Sequence, residues 1–214
     1  MPTSAHLGRV ESPDARLAEL GIDLPQPPAA LGPYPVVQVV GDLLYTTAVL
    51  PAWDGDLRYE GALGSRVPLA SGVAAARLCG LNLLALIRAH LGTLDNVKQV
   101  VQVIGLVNSA PGFAQQSKVM NGLSDLLYEV FGERGRHNRT ALGTTELPMD
   151  ASVQATAVVR IDPSQLPVLP REAVVSVPGT LADEVSAGVG MPVAGAAVER
   201  RSGSGHNGAE NSEP

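Results

Sequence analysis

The run VKQVVQVIGLV, Val97 to Val107, constrains this chain more than any other stretch. Six of its eleven residues are β-branched, a composition that loses side-chain freedom in a helix and packs well on a pleated surface. It reads as a strand. Apolar residues occupy both alternating sets, so both faces of that strand need cover. The chain's own helices can cover one face, and the other calls for a second subunit.

The flanking sequence supplies those helices. After a short helix from Asp14, stopped by Gly21, the segments YPVVQVV and GDLLYTTAVL read as two antiparallel strands joined at Gly41-Asp42. Apolar or small residues then recur at Val73, Ala76, Gly80, Leu84, Ile87 and Leu91, one stripe of a long helix that should lie on the sheet, with Arg77 and Arg88 elsewhere on the cylinder. A second helix, from about Ala114 to Phe131, puts Met120, Leu123, Leu127 and Val130 inward. RTALGTTELP and SVQATAVVRI close the sheet, and a minor strand falls near Arg58. In the last strand Val153, Ala155, Ala157, Val159 and Ile161 point to the helices. Ser152, Gln154, Thr156, Val158 and Arg160 point away. The order β-β-α-β-α-β-β predicts an α+β sandwich, one mixed sheet with two helices on one face.

The chain changes character near Asp162. Residues 163–214 are dense in Pro, Gly, Ser and Ala without an aromatic residue, and read as a mostly disordered tail with a marginal helix near Leu181 to Val185. Residues 1–13 read as a loose N-terminus, which leaves 14–162 as the domain, about 150 residues and a common single-domain size. A net charge of -6 with only two lysines, Lys98 and Lys118, argues against a phosphate-neutralising nucleic-acid binder. No apolar run reads as reaching the roughly 18 residues of a membrane span, and the N-terminus lacks a secretory h-region, so the expectation is a cytoplasmic protein with no membrane partner. The single cysteine, Cys79, sits among apolar residues and reads as a buried hydrophobe.

Familiar site patterns are absent: no nucleophile elbow, no paired cysteines, no phosphate-binding glycine loop. His6, His90, His137 and His206 do not fall at ligand spacing, so neither a metal nor a cofactor is expected. From the residues alone Tyr34 reads as packing and Asn121 as an exposed helix position. Arg139 stands alone in a segment rich in Thr, Gly and Ala.

The runs RLAELGIDLPQPPAALGPYPVVQVVGDLLYTTAVLP and ARLCGLNLLALIRAHLGTLDNVKQVVQVIGLVNSAPGFAQQSKVMNGLSDLLYEVFGERGRHNRTALGTTELP, with the terminal strand, resemble the YjgF/Rid superfamily over roughly Ala15 to Ile161. The similarity is greatest to its longer, chorismate-mutase-like branch, the one labelled endoribonuclease. The resemblance implies a chorismate-mutase-like fold and a homotrimer with small-molecule clefts between subunits. The implied activity is hydrolysis of 2-aminoacrylate-type imines and enamines to 2-oxo acids and ammonia. It makes Arg139, eight residues before Leu147-Pro148, the clamp for the carboxylate of a small substrate, since a guanidinium fork grips a carboxylate through two parallel hydrogen bonds. Tyr34, Asn121, Ala48 and the backbone of Ala141 would line the same cleft. Two positions depart from the family pattern. Gln154 and Thr156 stand where relatives carry V-E-x-E, and Thr47, Ala48 and Val49 replace Ser-Gly-Gln. By the resemblance Gln154 and Thr47 would position the attacking water. Two readings follow: a Rid-like hydrolase, with a repurposed tautomerase, cyclase or lyase as its variant, or a trimer that binds a small carboxylate without turning it over.

Overall fold

The computed structural model describes residues 12–166. The expected marginal helix at Leu181 to Val185 and nearly all of the 163–214 segment lie outside these residues, as does most of 1–13. Ser12 caps the first helix, α1 (Pro13–Glu19), its hydroxyl accepting from the Ala15 N–H. Past Asp162 the chain makes a one-turn helix, Pro163–Gln165, and Leu166 packs against the core.

β1 (Val37–Val40) and β2 (Leu43–Thr46) form the expected hairpin, with Val40 opposite Leu43 and the turn at Gly41-Asp42. Gly41 takes φ +63°, the conformation that a two-residue hairpin demands at its first central position and that glycine meets without steric cost. A small second hairpin, β3 (Ala52–Trp53) and β4 (Asp56–Leu57), ends where the minor strand was expected. Then come α2 (Leu69–Leu91), β5 (Val97–Asn108), α3 (Gln116–Phe131), β6 (Asn138–Thr144) and β7 (Val153–Ile161). The main sheet runs β1-β2-β7-β5-β6, with β5 and β6 parallel and every other pair antiparallel.

Alternation on β7 behaves as the sequence predicts. Val153, Ala155, Ala157, Val159 and Ile161 are buried. Ser152 does not follow: it precedes the strand and is fully buried. On β5 the simple period of two fails, because register shifts fall between Val97 and Gln99 and again between Val100 and Gln102. These bulges turn Val97, Val100 and Val103, three residues apart, to the same covered face. The opposite face carries the row Gln38, Tyr45, Val158, Gln102, then Thr156 beside Ile104, then Gln154 beside Leu106 and Leu142. Tyr45, Ile104 and Leu142 are exposed there.

The α2 stripe needs correction. Val73 and Gly80 face α3 rather than the sheet: a Cβ at Gly122 would sit 2.0 Å from the Val73 carbonyl oxygen, and one at Gly80 would meet Leu126 at 2.8 Å. The sheet is met one residue further round, where the Cys79 sulfhydryl lies 3.7 Å from the carbonyls of Val49 and Val153. Cys79 is buried as expected, and burial pushes its thiol far above the ordinary range. Arg77 and Arg88 pair across to Glu129 of α3 at 2.7 Å and Asp14 of α1 at 3.0 Å. Once its arginines are admitted, α2 does have the length and composition of a membrane span, with a mean hydropathy of 1.6 in its apolar stretch. That stretch is 67% buried inside this fold, which is how a core helix comes to be so apolar.

Candidate functional site

β6 is an edge strand, and its parallel register with β5 decides where Arg139 goes. Arg139 pairs with Val103 and Ala141 with Gly105, both on the covered face, so the two side chains lie on the side of α3. The Arg139 guanidinium folds against that helix. Its Nη1 donates to Asn121 Oδ1 at 2.9 Å and Ser124 Oγ at 3.0 Å. Its Nη2 donates to the Ser117 carbonyl at 3.0 Å and Ser117 Oγ at 2.9 Å. Ser117, Asn121, Ser124 and Tyr128 recur at helical spacing and form one polar stripe on α3. With Asp125, His137, Arg139 and Ala141 they line a pocket of about 470 Å³.

His137 extends this network. Its Nδ1 lies 2.6 Å from the Gly135 carbonyl, which can only accept, so that nitrogen carries the proton. Nε2 is then the acceptor, and it receives the Ser124 hydroxyl at 3.0 Å. The bonds run in one direction, from Arg139 to Ser124 to His137 to Gly135. Burial, and more weakly the Arg139 charge, push the His137 pKa below its ordinary value, outweighing the opposing hydrogen bond to Gly135. The ring also lies 5.6 Å from that of Tyr128. Gly135 is fixed in turn, since a Cβ there would stand 2.2 Å from the Leu127 carbonyl oxygen.

The residues singled out in the sequence thus divide into separate groups. Arg139, Asn121 and Ala141 share the pocket. Asn121 is exposed, as its sequence context suggests, but bonded to the guanidinium. Gln154 pairs with Leu106 on the face of the sheet away from the helices, so within one chain it and Arg139 lie on opposite sides. Thr47 and Ala48 occupy an irregular segment beside β7. Tyr45 pairs with Val158 and Val49 with Ala155, which leaves one extra residue on the β2 side, and the Thr46 hydroxyl accepts from the Ala157 N–H at 2.9 Å in place of a ladder bond. Tyr34 lies in a bend before β1 and is exposed. Ser117, Ser124, Asp125 and Tyr128 escaped the sequence reading, although their spacing was available. Among the described residues, no three His, Cys, Asp or Glu side chains gather as a metal site.

Two helices lie on one face of a mixed sheet, and an arginine sits in a polar pocket between an edge strand and a helix, which together define an α+β domain with one candidate site. Residues 14–158 match the family model described as "YjgF/chorismate mutase-like, putative endoribonuclease", and the chain belongs to that family. Protein TCP17 of Trypanosoma cruzi is 42% identical over 149 residues, spanning 69% of this chain and 93% of that protein. The crystal structure of Agrobacterium tumefaciens Atu1372, a protein of unknown function, is 40% identical with a TM-score of 0.65, over 71% of this chain and 92% of that one. A putative endoribonuclease from Shewanella oneidensis is 34% identical with a TM-score of 0.68, over 70% and 99% respectively.

Proposed function

We propose that this protein is a Rid-like hydrolase that converts a small imine or enamine carboxylate to a 2-oxo acid and ammonia. The observation that carries the reading is the Arg139 guanidinium, held in a polar pocket by neutral partners and not by a carboxylate. Its charge is therefore available to an anion. A substrate carboxylate displaces Ser117 and takes its two parallel hydrogen bonds from Nη2 and Nε, while Asn121 and Ser124 keep Nη1 in place. The clamp then orients the adjoining C=N carbon within the pocket.

The active assembly on this reading is a homotrimer in which the open sheet faces pack together and cover Tyr45, Ile104 and Leu142. Gln154 can then reach an Arg139 cleft only from a neighbouring subunit, because one chain keeps Gln154 and Arg139 on opposite sides of its sheet, and Thr47 would position the water with it. Binding without turnover is the second reading, favoured by the neutral Gln154 and Thr156 where relatives ionise. Nuclease activity is disfavoured by the net charge of -6.

The test is release of ammonia and pyruvate from 2-iminopropionate generated in situ. Release well above the buffer rate supports the hydrolase. Release at the buffer rate, with pyruvate still bound, removes the hydrolase and leaves the binding protein or the repurposed tautomerase, cyclase or lyase.

A further inference from the structure

The pocket holds a hydrogen-bonded serine–histidine pair that the family pattern does not assign. Ser124 is buried, 5% exposed, on the wall of the Arg139 pocket. Its hydroxyl accepts from Arg139 Nη1 at 3.0 Å and donates to His137 Nε2 at 3.0 Å. The imidazole is oriented by a third group, the Gly135 carbonyl at 2.6 Å. A hydroxyl bonded to a base whose far nitrogen is fixed by an acceptor is the arrangement that lets a side chain pass protons to and from a reacting group. The residue on the last strand cannot do this, since an amide at Gln154 takes up no proton at neutral pH.

We propose that Ser124 and His137 form the proton relay of this site, the serine hydroxyl meeting the attacking water and the imidazole storing its proton. The inference rests on the imine-hydrolase reading above. Water adds to the iminium carbon of the clamped substrate, forming the C–O bond, as one water proton passes to Ser124 Oγ and the Ser124 proton passes to His137 Nε2. The C=N electron pair moves onto nitrogen and leaves a neutral amine. The relay then runs backwards and gives the stored proton to that nitrogen. The C–N bond breaks with its electrons on the departing ammonia, the oxygen closes to a carbonyl, and the hydroxyl proton leaves with ammonia as ammonium. Arg139 lowers the cost of the step, because its Nη1 hydrogen bond stabilises negative charge developing on Ser124 Oγ.

Among the described residues, charged and titratable groups stand near the ring on three elements. On β6 there is Arg139, and on α3 Asp125 and Tyr128 line the same pocket. In the preceding turn Arg136 is paired with Glu133 at 2.7 Å. A neutral imidazole beside Arg139 is favoured by burial and by that charge, which keeps the acceptor nitrogen free at neutral pH.

The experiment compares wild type with His137→Asn, Ser124→Ala and Asp125→Asn, measuring kcat for 2-iminopropionate, Kd for pyruvate, and the pH profile of kcat/KM. The relay predicts a kcat lower by about 10²- to 10⁴-fold in His137→Asn and Ser124→Ala. It also predicts a pyruvate Kd within about threefold of wild type in His137→Asn, and loss in that variant of an acid limb lying below the ordinary histidine value of 6.5. A Kd that rises in step with KM while kcat holds makes the pair a prop for Arg139 and overturns the relay. A kcat loss confined to Asp125→Asn assigns the base to Asp125 and also overturns it. Should His137→Asn fail to fold, Ser124→Ala decides alone, and a wild-type kcat there refutes the proposal. A wild type that binds pyruvate without hydrolysing the imine defeats the hydrolase reading itself, a failure visible before any variant is made.

Discussion

In Arg139→Ala, the four hydrogen bonds from the guanidinium to α3 disappear together. Their partners are cheap to release. Ser117 and Asn121 are exposed and regain water, while Ser124, although buried, keeps His137. The folding cost should therefore stay near 1 kcal/mol. Ligand binding should suffer far more. A hydrogen bond to a charged group contributes about 1.5–3 kcal/mol, and a bidentate carboxylate loses two of them, offset in part by its rehydration. A net loss of about 3 kcal/mol corresponds to about 100-fold in Kd at 1.4 kcal/mol per tenfold. Calorimetric titration with pyruvate measures the second quantity and thermal melting the first. An Arg139→Ala protein that binds pyruvate with unchanged Kd refutes the clamp. One that loses binding only because it has unfolded would show as a collapsed melt, against the small cost expected here.

Other perturbations probe the fold and the site separately. Gly122→Ala places a methyl 2.0 Å from the Val73 carbonyl oxygen, where rigid backbone must move, and should destabilise by about 3 kcal/mol in a denaturant titration; a loss under 0.5 kcal/mol would mean the α2–α3 crossing is looser than described. The depressed pKa of His137 means that the unfolded chain binds a proton more readily than the folded one. Its contribution to stability is thus complete above the ordinary value of 6.5 and is lost as pH falls through the lowered folded value. His137→Asn should flatten the acid side of the stability profile near the histidine range, with the residual slope left to His90, lowered by burial, and at lower pH to Asp162, lowered by its hydrogen bonds from Ser164. Gln154→Glu should raise imine turnover by restoring a carboxylate to the last strand, and an unchanged rate would place this side chain outside the cleft.

Periodicity made most of the architecture legible. Gly41-Asp42, the alternation of β7 and the β-branched run of β5 each carry a local signal that the folded chain obeys. What escaped depends on contacts between elements. The bulges in β5 are imposed by pairing with β7, so a plain period of two assigns its faces wrongly. The α2 stripe was aimed at the sheet, but the glycines at 80 and 122 let α3 approach closely enough to claim that face. Arg139 stands out only through the family resemblance, and the side of the sheet it occupies follows from a parallel register with β5 that no local pattern encodes. Ser124 reads as a small helix residue and His137 as an isolated histidine until strand and helix bring them to 3.0 Å. The stripe Ser117, Asn121, Ser124 and Tyr128 was the one available sign that α3 turns a polar face toward something.

The central claim is that Arg139 grips a carboxylate in a cleft built by two chains. A crystal structure of the assembly soaked with pyruvate tests it most directly. The account predicts a carboxylate within hydrogen-bond distance of the Arg139 guanidinium, where Ser117 now lies, with Gln154 of a neighbouring subunit on the opposite wall. Pyruvate bound elsewhere, or an Arg139 facing bulk solvent with no second chain beside it, would contradict it.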